Sequence, residues 1–135
     1  MQAVIARRTL VAVPPSKRRY EVSLGQPEPV VRGDWRCSYH ISGIGMRRAR
    51  YAFGVDAVQA LIMALDGIRH DLAVANPACS WLGGETGDFG FPRHVTIAFG
   101  LACSRRIDRL IDREILRYSK TLAAKARRRK KRATP

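Results

Sequence analysis

Cys79, Asp88 and His94 fall close together along the chain. A thiol, a carboxylate and an imidazole are the parts from which a nucleophile, an orienting acid and a base are assembled. Such a trio over so short a span arises readily by composition, and a merely reduced thiol at Cys79 explains it as well. No catalytic residue, and no enzyme activity, is expected from it. Asp108 and Asp112 are spaced i,i+4, but Arg105, Arg109 and Arg113 surround them, which suits ion-paired surface carboxylates better than acid–base chemistry. No pair of histidines or cysteines has ligand spacing, so no metal is expected. His40 falls on the polar side of an alternating segment and reads as solvated or hydrogen-bonded. His70 stands late in a helical pattern, where its cationic form suits the helix dipole.

Two stretches are candidates for binding. The first, "SWLGGETGDFGFPRH" (Ser80–His94), combines Trp81, Phe89 and Phe91 with Gly83, Gly84, Glu85 and Asp88. Aromatic rings on a glycine-rich loop form a recognition surface, or they tuck under the loop and close the core. The closing role is the primary expectation, since small domains rarely leave three aromatics exposed. "GGETG" has neither the spacing nor the lysine of a phosphate loop, and its acids repel phosphate. "GIG" (Gly43–Gly45) joins two strands instead of opening a helix, so it is no dinucleotide fingerprint. No cofactor is expected. The second stretch is Arg127, Arg128, Arg129, Lys130, Lys131 and Arg132, which could contact nucleic-acid phosphates. Charge of this kind supplies affinity without base readout, and it also suits the solvated end of a helix. An anionic membrane is a poorer partner, because no lipid anchor or strongly apolar face adjoins the run.

The elements that position these residues are legible from periodicity. "VIARRTLVAV" (Val4–Val13) and "RRYEVSLG" (Arg18–Gly25) read as strands around a turn at Pro14–Lys17. Gln26–Gly33 reads as a loop. In "DWRCSYHIS", Trp35, Cys37, Tyr39 and Ile41 alternate with Arg36, Ser38, His40 and Ser42. "MRRARYAFG" returns as a fourth strand, with Ala49, Tyr51 and Phe53 on one side and Arg48 and Arg50 on the other. Short links between strands favour an antiparallel meander. From Asp56 to Ala73, the residues Val58, Leu61, Ile62, Leu65, Ile68 and Leu72 recur at helical spacing. Asp56 and Gln59 form a capping-box pattern, Ala57, Ala60 and Ala64 allow close approach to a sheet, and Asn76-Pro77 ends the helix. "CSWL" suits a short strand. His94–Cys103 alternates as a strand would through Val95, Ile97, Phe99 and Leu101, though Gly100 weakens the pattern. Ser104 then caps a second helix with Ile107, Leu110, Ile111, Ile115, Tyr118 and Leu122 on its apolar side. Its arginines are set to pair with Asp108, Asp112 and Glu114, and its last residues are expected to fray.

The predicted fold is α+β: a four- to five-stranded antiparallel sheet packed against one amphipathic helix, plus a basic C-terminal helix. Residues 1–122 are read as one domain and 123–135 as a basic tail. The 135 residues carry 25 Lys+Arg against 11 Asp+Glu, a net charge of +14. From Ser104 onward thirteen basic residues face three acidic ones, so most of that excess sits at one end. Three scattered cysteines without a CxxC suggest reduced thiols and a cytosolic setting. Arg7 and Arg8 interrupt the N-terminal apolar run, and no stretch is long enough to span a bilayer.

The stretches "GDWRCSYHISGIG", "RYAFGVDAVQALIMALDGIR", "WLGGETGDFGFPR" and "SRRIDRLIDREI" resemble a bacterial family described as domain of unknown function 6968. The resemblance extends over roughly Arg8 to Leu122. It implies a bacterial source and one compact domain, brings no assigned activity, and leaves "RRRKKR" as an addition to the common part. The functional expectation is a non-enzymatic cytoplasmic module that binds a protein, in the manner of an immunity or adaptor protein. The sheet's exposed face or the glycine–aromatic loop would make the contact. A nucleic-acid accessory protein acting through Ser104–Arg132 is the alternative.

Overall fold

The computed structural model describes residues 3–96 and 98–135. They fall into two compact units, Met1–His94 and Val95–Pro135.

The first unit is built on a sheet in which every strand pairing is antiparallel. Its strands are β1 (Val4–Ala12), β2 (Tyr20–Gly25), β3 (Glu28–Pro29), β4 (Trp35–Ser42), β5 (Arg50–Gly54) and β6 (Cys79–Ser80). β4 is central. β2 and β3 line one of its edges and β5 the other, because Tyr39 pairs with both Leu24 and Arg50, and Trp35 with both Pro29 and Gly54. β1 adds to β2, and β6 to the end of β1. The α+β expectation holds, with six strands among the described residues, two of them only two residues long. β3 lies within the stretch read as a loop. Its prolines hide it in the sequence, yet an edge pairing tolerates a residue with no N–H to donate.

Helix α1 (Ala57–Ala75) covers one sheet face. Asp56 caps it by accepting from the Gln59 N–H at 2.7 Å, and the Gln59 side chain reaches back to the Val55 N–H at 2.7 Å. The reciprocal cap therefore closes one residue further out than a standard capping box. Asn76 ends the helix in the left-handed conformation and donates its N–H to Leu72. The side chains of α1 in the core are Ala60, Ala64, Ile68 and Leu72, whereas Val58 and Ile62 point to solvent. Small residues bring the helix down onto the sheet, which supplies the bulk: Leu10, Tyr20, Val22, Leu24, Cys37, Tyr39 and Ile41. Gly54 and Gly67 complete the close approach, since a Cβ at Gly54 would collide with the Ala60 backbone and one at Gly67 would lie 2.8 Å from the Tyr39 hydroxyl.

In β5 the alternation is present and the arginine side is the one that faces α1. Ala52 pairs with the buried Cys37, so Arg50 shares the covered face and Tyr51 and Phe53 point the other way. The strand also begins at Arg50 instead of Met46. The Met46 carbonyl contacts the His40 ring and its sulfur accepts from the Ile41 N–H, which keeps that residue in the connection.

The second unit contains α2 (Leu101–Ala133), a helix of 33 residues. Its N-cap is Gly100, four residues before the expected Ser104, because Gly100 at φ 89° breaks the preceding chain and accepts from the Ser104 N–H. Leu101 to Cys103 thus form the first turn, and the alternation ending there is not a strand: Val95, Thr96 and Phe99 pair with no neighbouring strand among the described residues. Ile97 lies outside the described residues. The helix continues past Leu122 to Ala133. Arginine and lysine are good helix formers, and cations near a helix C-terminus are favourably placed against its dipole. Of the expected ion pairs on α2, the structure contains Arg117–Glu114 at 2.8 Å, with Asp108 and Asp112 in none among the described residues.

Candidate functional site

The Ser80–His94 loop folds back on β1. Arg8, on the covered face, extends between two rings, its guanidinium 4.2 Å from the centre of Trp81 and 4.6 Å from that of Phe91. The same side chain donates to the Gly90 carbonyl at 2.5 Å. Gly90 lies against the Trp81 ring, where a Cβ has no room. Phe89 is buried in the core. The loop is cross-braced internally: the Trp81 N–H donates to Asp88, Gly84 to Trp81, and Asp88 to Glu85, while the Asp88 carboxylate accepts from Gly90. Gly83 and Gly87 adopt positive φ with open space around them. Of the three aromatics, one serves the core and two hold Arg8. A cleft of about 360 Å³ remains between the loop and the end of α1, lined by Arg69, Asp88 and Phe91 among others.

Cys79, Asp88 and His94 are not brought together by any hydrogen bond among the described residues. Cys79 is buried and burial pushes its thiol above the ordinary range, the opposite of what a thiolate nucleophile needs. Asp88 is engaged by Gly90. The His94 N–H donates to Asp66 at 3.2 Å, and Arg69 donates to the same oxygen at 3.1 Å. Burial acts to raise the Asp66 carboxyl, but these donors outweigh it and hold it below its usual range. That contact pins the loop's end to α1.

Two arrangements were not singled out from the sequence. Beneath α1, Asp71 accepts from the Tyr39 hydroxyl at 2.9 Å and from Arg50 at 2.5 Å. Asp71 is 9% exposed, and its place beside Leu72 and one turn after Ile68 is the sequence signal that it faces inward. On the open face, Tyr51 and Phe53 are 42% and 59% exposed, two residues apart on β5. Arg36, paired directly with Phe53 across the strands, lies over the Tyr51 ring at 4.8 Å and is held by Glu28 at 2.6 Å. Their shared parity with Ala49 was readable; which parity the helix would cover was not.

On α2, Lys125, Arg128, Arg129 and Arg132 line one side of the helix. Arg127, Lys130 and Lys131 fill the remaining directions, so the six basic residues of the candidate run surround the helix instead of forming one strip.

Fold and surfaces together define a small α+β domain with one sheet face covered and one open, followed by a long basic helix. The family described as Domain of unknown function (DUF6968) matches residues 6–93, and the chain belongs to that family. The stretch "SRRIDRLIDREI" lies beyond the matched residues. No curated protein and no solved structure matches the chain.

Proposed function

We propose that this chain is a non-enzymatic protein-binding module, and that the open face of its sheet is the contact surface. The observation that carries the reading is the pair Tyr51 and Phe53, exposed side by side with Arg36 stacked against them. Tyrosine, arginine and large apolar rings are the side chains that anchor interfaces, and a ring ordered by a neighbouring guanidinium loses little freedom on docking. The β4–β5 pairing fixes both rings on a rigid strand. A cytoplasmic setting accords with three free cysteines. Among the described residues no helix is long and apolar enough to cross a membrane.

The test is affinity capture from source cells with the wild-type chain and with Tyr51→Ala/Phe53→Ala. The two residues are exposed, so the variant keeps its circular dichroism spectrum. A partner held by the wild type should bind the variant about 30-fold more weakly, the consequence of losing roughly 2 kcal/mol of anchor contact. Equal recovery with both chains rejects this face as the interface.

One observation favours a second reading. Because α2 continues to Ala133, four cations share one side of a continuous helix. That arrangement supports binding to nucleic-acid phosphates, with affinity falling steeply as salt rises. Anisotropy titrations with a labelled oligonucleotide at several salt concentrations should then show binding that disappears when residues 125–135 are removed. Retention of binding by the truncated chain excludes this helix end as the contact.

A further inference from the structure

α2 carries no buried side chain, although Ile111, Ile115, Tyr118 and Leu122 form an apolar groove of about 500 Å³ along it. The groove continues in both directions as a regular seam. Asp108, Ile111, Ile115, Tyr118, Leu122 and Lys125 follow one another at steps of three and four, the a/d spacing of a two-stranded coiled coil. The apolar part is bounded by an acid at one end and a base at the other, and neither takes part in an ion pair within the chain among the described residues.

We infer that α2 pairs in antiparallel orientation with α2 of a second copy of this chain. The seam is symmetric about the Leu116–Arg117 peptide, so reversal of the partner aligns it with itself. Ile115 then faces the partner's Tyr118, and Ile111 faces the partner's Leu122. Twofold symmetry repeats both contacts and makes four apolar layers. Asp108 faces the partner's Lys125 at each end of this stack. Parallel pairing sets like positions opposite each other. It would place Asp108 against the partner's Asp108 and Lys125 against the partner's Lys125, and lay both Arg127–Arg132 runs side by side. All three acids of α2 lie between Asp108 and Glu114 and its densest basic run between Lys125 and Arg132. Only the antiparallel arrangement sets the acid-bearing half of each helix against the basic half of the other. This inference rests on α2 alone and is independent of the open-face reading.

Sedimentation equilibrium on the full chain tests it. The wild type should dimerise with rising concentration, and Ile115→Asp should be monomeric. Asp108→Lys and Lys125→Asp should each weaken the dimer roughly tenfold, because each sets like charges opposite at both ends of the stack. The double variant Asp108→Lys/Lys125→Asp should return to wild-type affinity. In a Cys103→Ser background, Ile115→Cys mixed with Tyr118→Cys should oxidise to the mixed disulfide, whereas a parallel pair yields each homodimer. A chain that stays monomeric to 200 µM overturns the proposal, on the scale where even a weak pair with a Kd near 1 mM, about 4 kcal/mol, begins to show. Charge variants that leave the dimer unchanged, or homodisulfides in place of the mixed one, overturn the antiparallel register. Capture of an acidic helical protein by a monomeric chain assigns the seam to that occupant and likewise overturns self-pairing.

Discussion

Asp71 is a carboxylate in the contact stripe of α1, and it is tolerated there because the Tyr39 hydroxyl and Arg50 each engage one of its oxygens. Burial, and then hydrogen bonding to Asp71, push the Tyr39 phenol from 10.0 up to about 12. A group whose pKa is raised on folding contributes stability that is complete below its unfolded value. For Tyr39 that contribution is present below pH 10 and disappears as pH rises through about 12. Tyr39→Phe should therefore cost about 1–3 kcal/mol at pH 8, where Asp71 loses a donor in a dry site. Urea unfolding at pH 8 and at pH 11.5 should show the gap between wild type and variant narrowing at the higher pH; a constant gap would mean the phenol is not perturbed. The thiols make a second residue-scale prediction. Cys37 is buried and pushed up to about 11, Cys79 is buried and pushed up as well, and Cys103 is partly exposed. With Ellman's reagent at pH 8, Cys103 should react promptly in the native protein and the other two only after denaturation. Cys37 and Tyr39 were placed on the inward face by alternation alone. Asp71 and Arg8 were not, because an acid on a helix and a base on a strand read as surface until their partners are known.

At the scale of elements, α1 shows what periodicity carries and what it omits. Its extent, its cap at Asp56 and its end at Asn76-Pro77 were all legible, since each depends on local backbone hydrogen bonding. Its rotation was legible in part: Ala60, Ala64, Ile68 and Leu72 were read on the contact side and lie in the core, whereas Val58 and Ile62, grouped with them by spacing, face solvent. A helix lies where its small residues permit contact with a bulky sheet, and that depends on the sheet. Gly54→Ala should destabilise the domain by about 1–3 kcal/mol, because the new methyl meets helix backbone that cannot turn aside. Chemical denaturation of this variant beside Gly33→Ala, where a Cβ meets nothing but the positive φ remains, would separate collision from strain; equal losses would argue against collision. β5 shows the same limit: alternation grouped Tyr51 with Phe53, and the pairing with β4 decided that this group faces outward.

At the scale of the whole molecule, core and charge are segregated. Among the described residues every buried hydrophobic side chain lies at or before Phe89, whereas thirteen of the 25 basic residues lie beyond Cys103. The family match likewise ends at residue 93. A chain ending at His94 should therefore keep the far-ultraviolet spectrum of the sheet and α1 and unfold cooperatively on heating. Non-cooperative melting of that fragment would show that the core is not self-sufficient.

The sequence by itself determined the α+β class, the strand and helix inventory apart from β3 and the stretch before α2, the caps of α1 and the location of the charge. Each follows from short-range physics: alternation, helical spacing, turn residues and a tally of ionised groups. The tertiary structure alone decided which face of β5 is covered, that Arg8 is held between Trp81 and Phe91, and that Asp71 is buried with two donors. These are contacts between residues 11 to 83 positions apart, and no local rule specifies them. The glycine-rich loop closes over β1 for that reason, its aromatics taking up a guanidinium that the strand sequence presents without naming its destination.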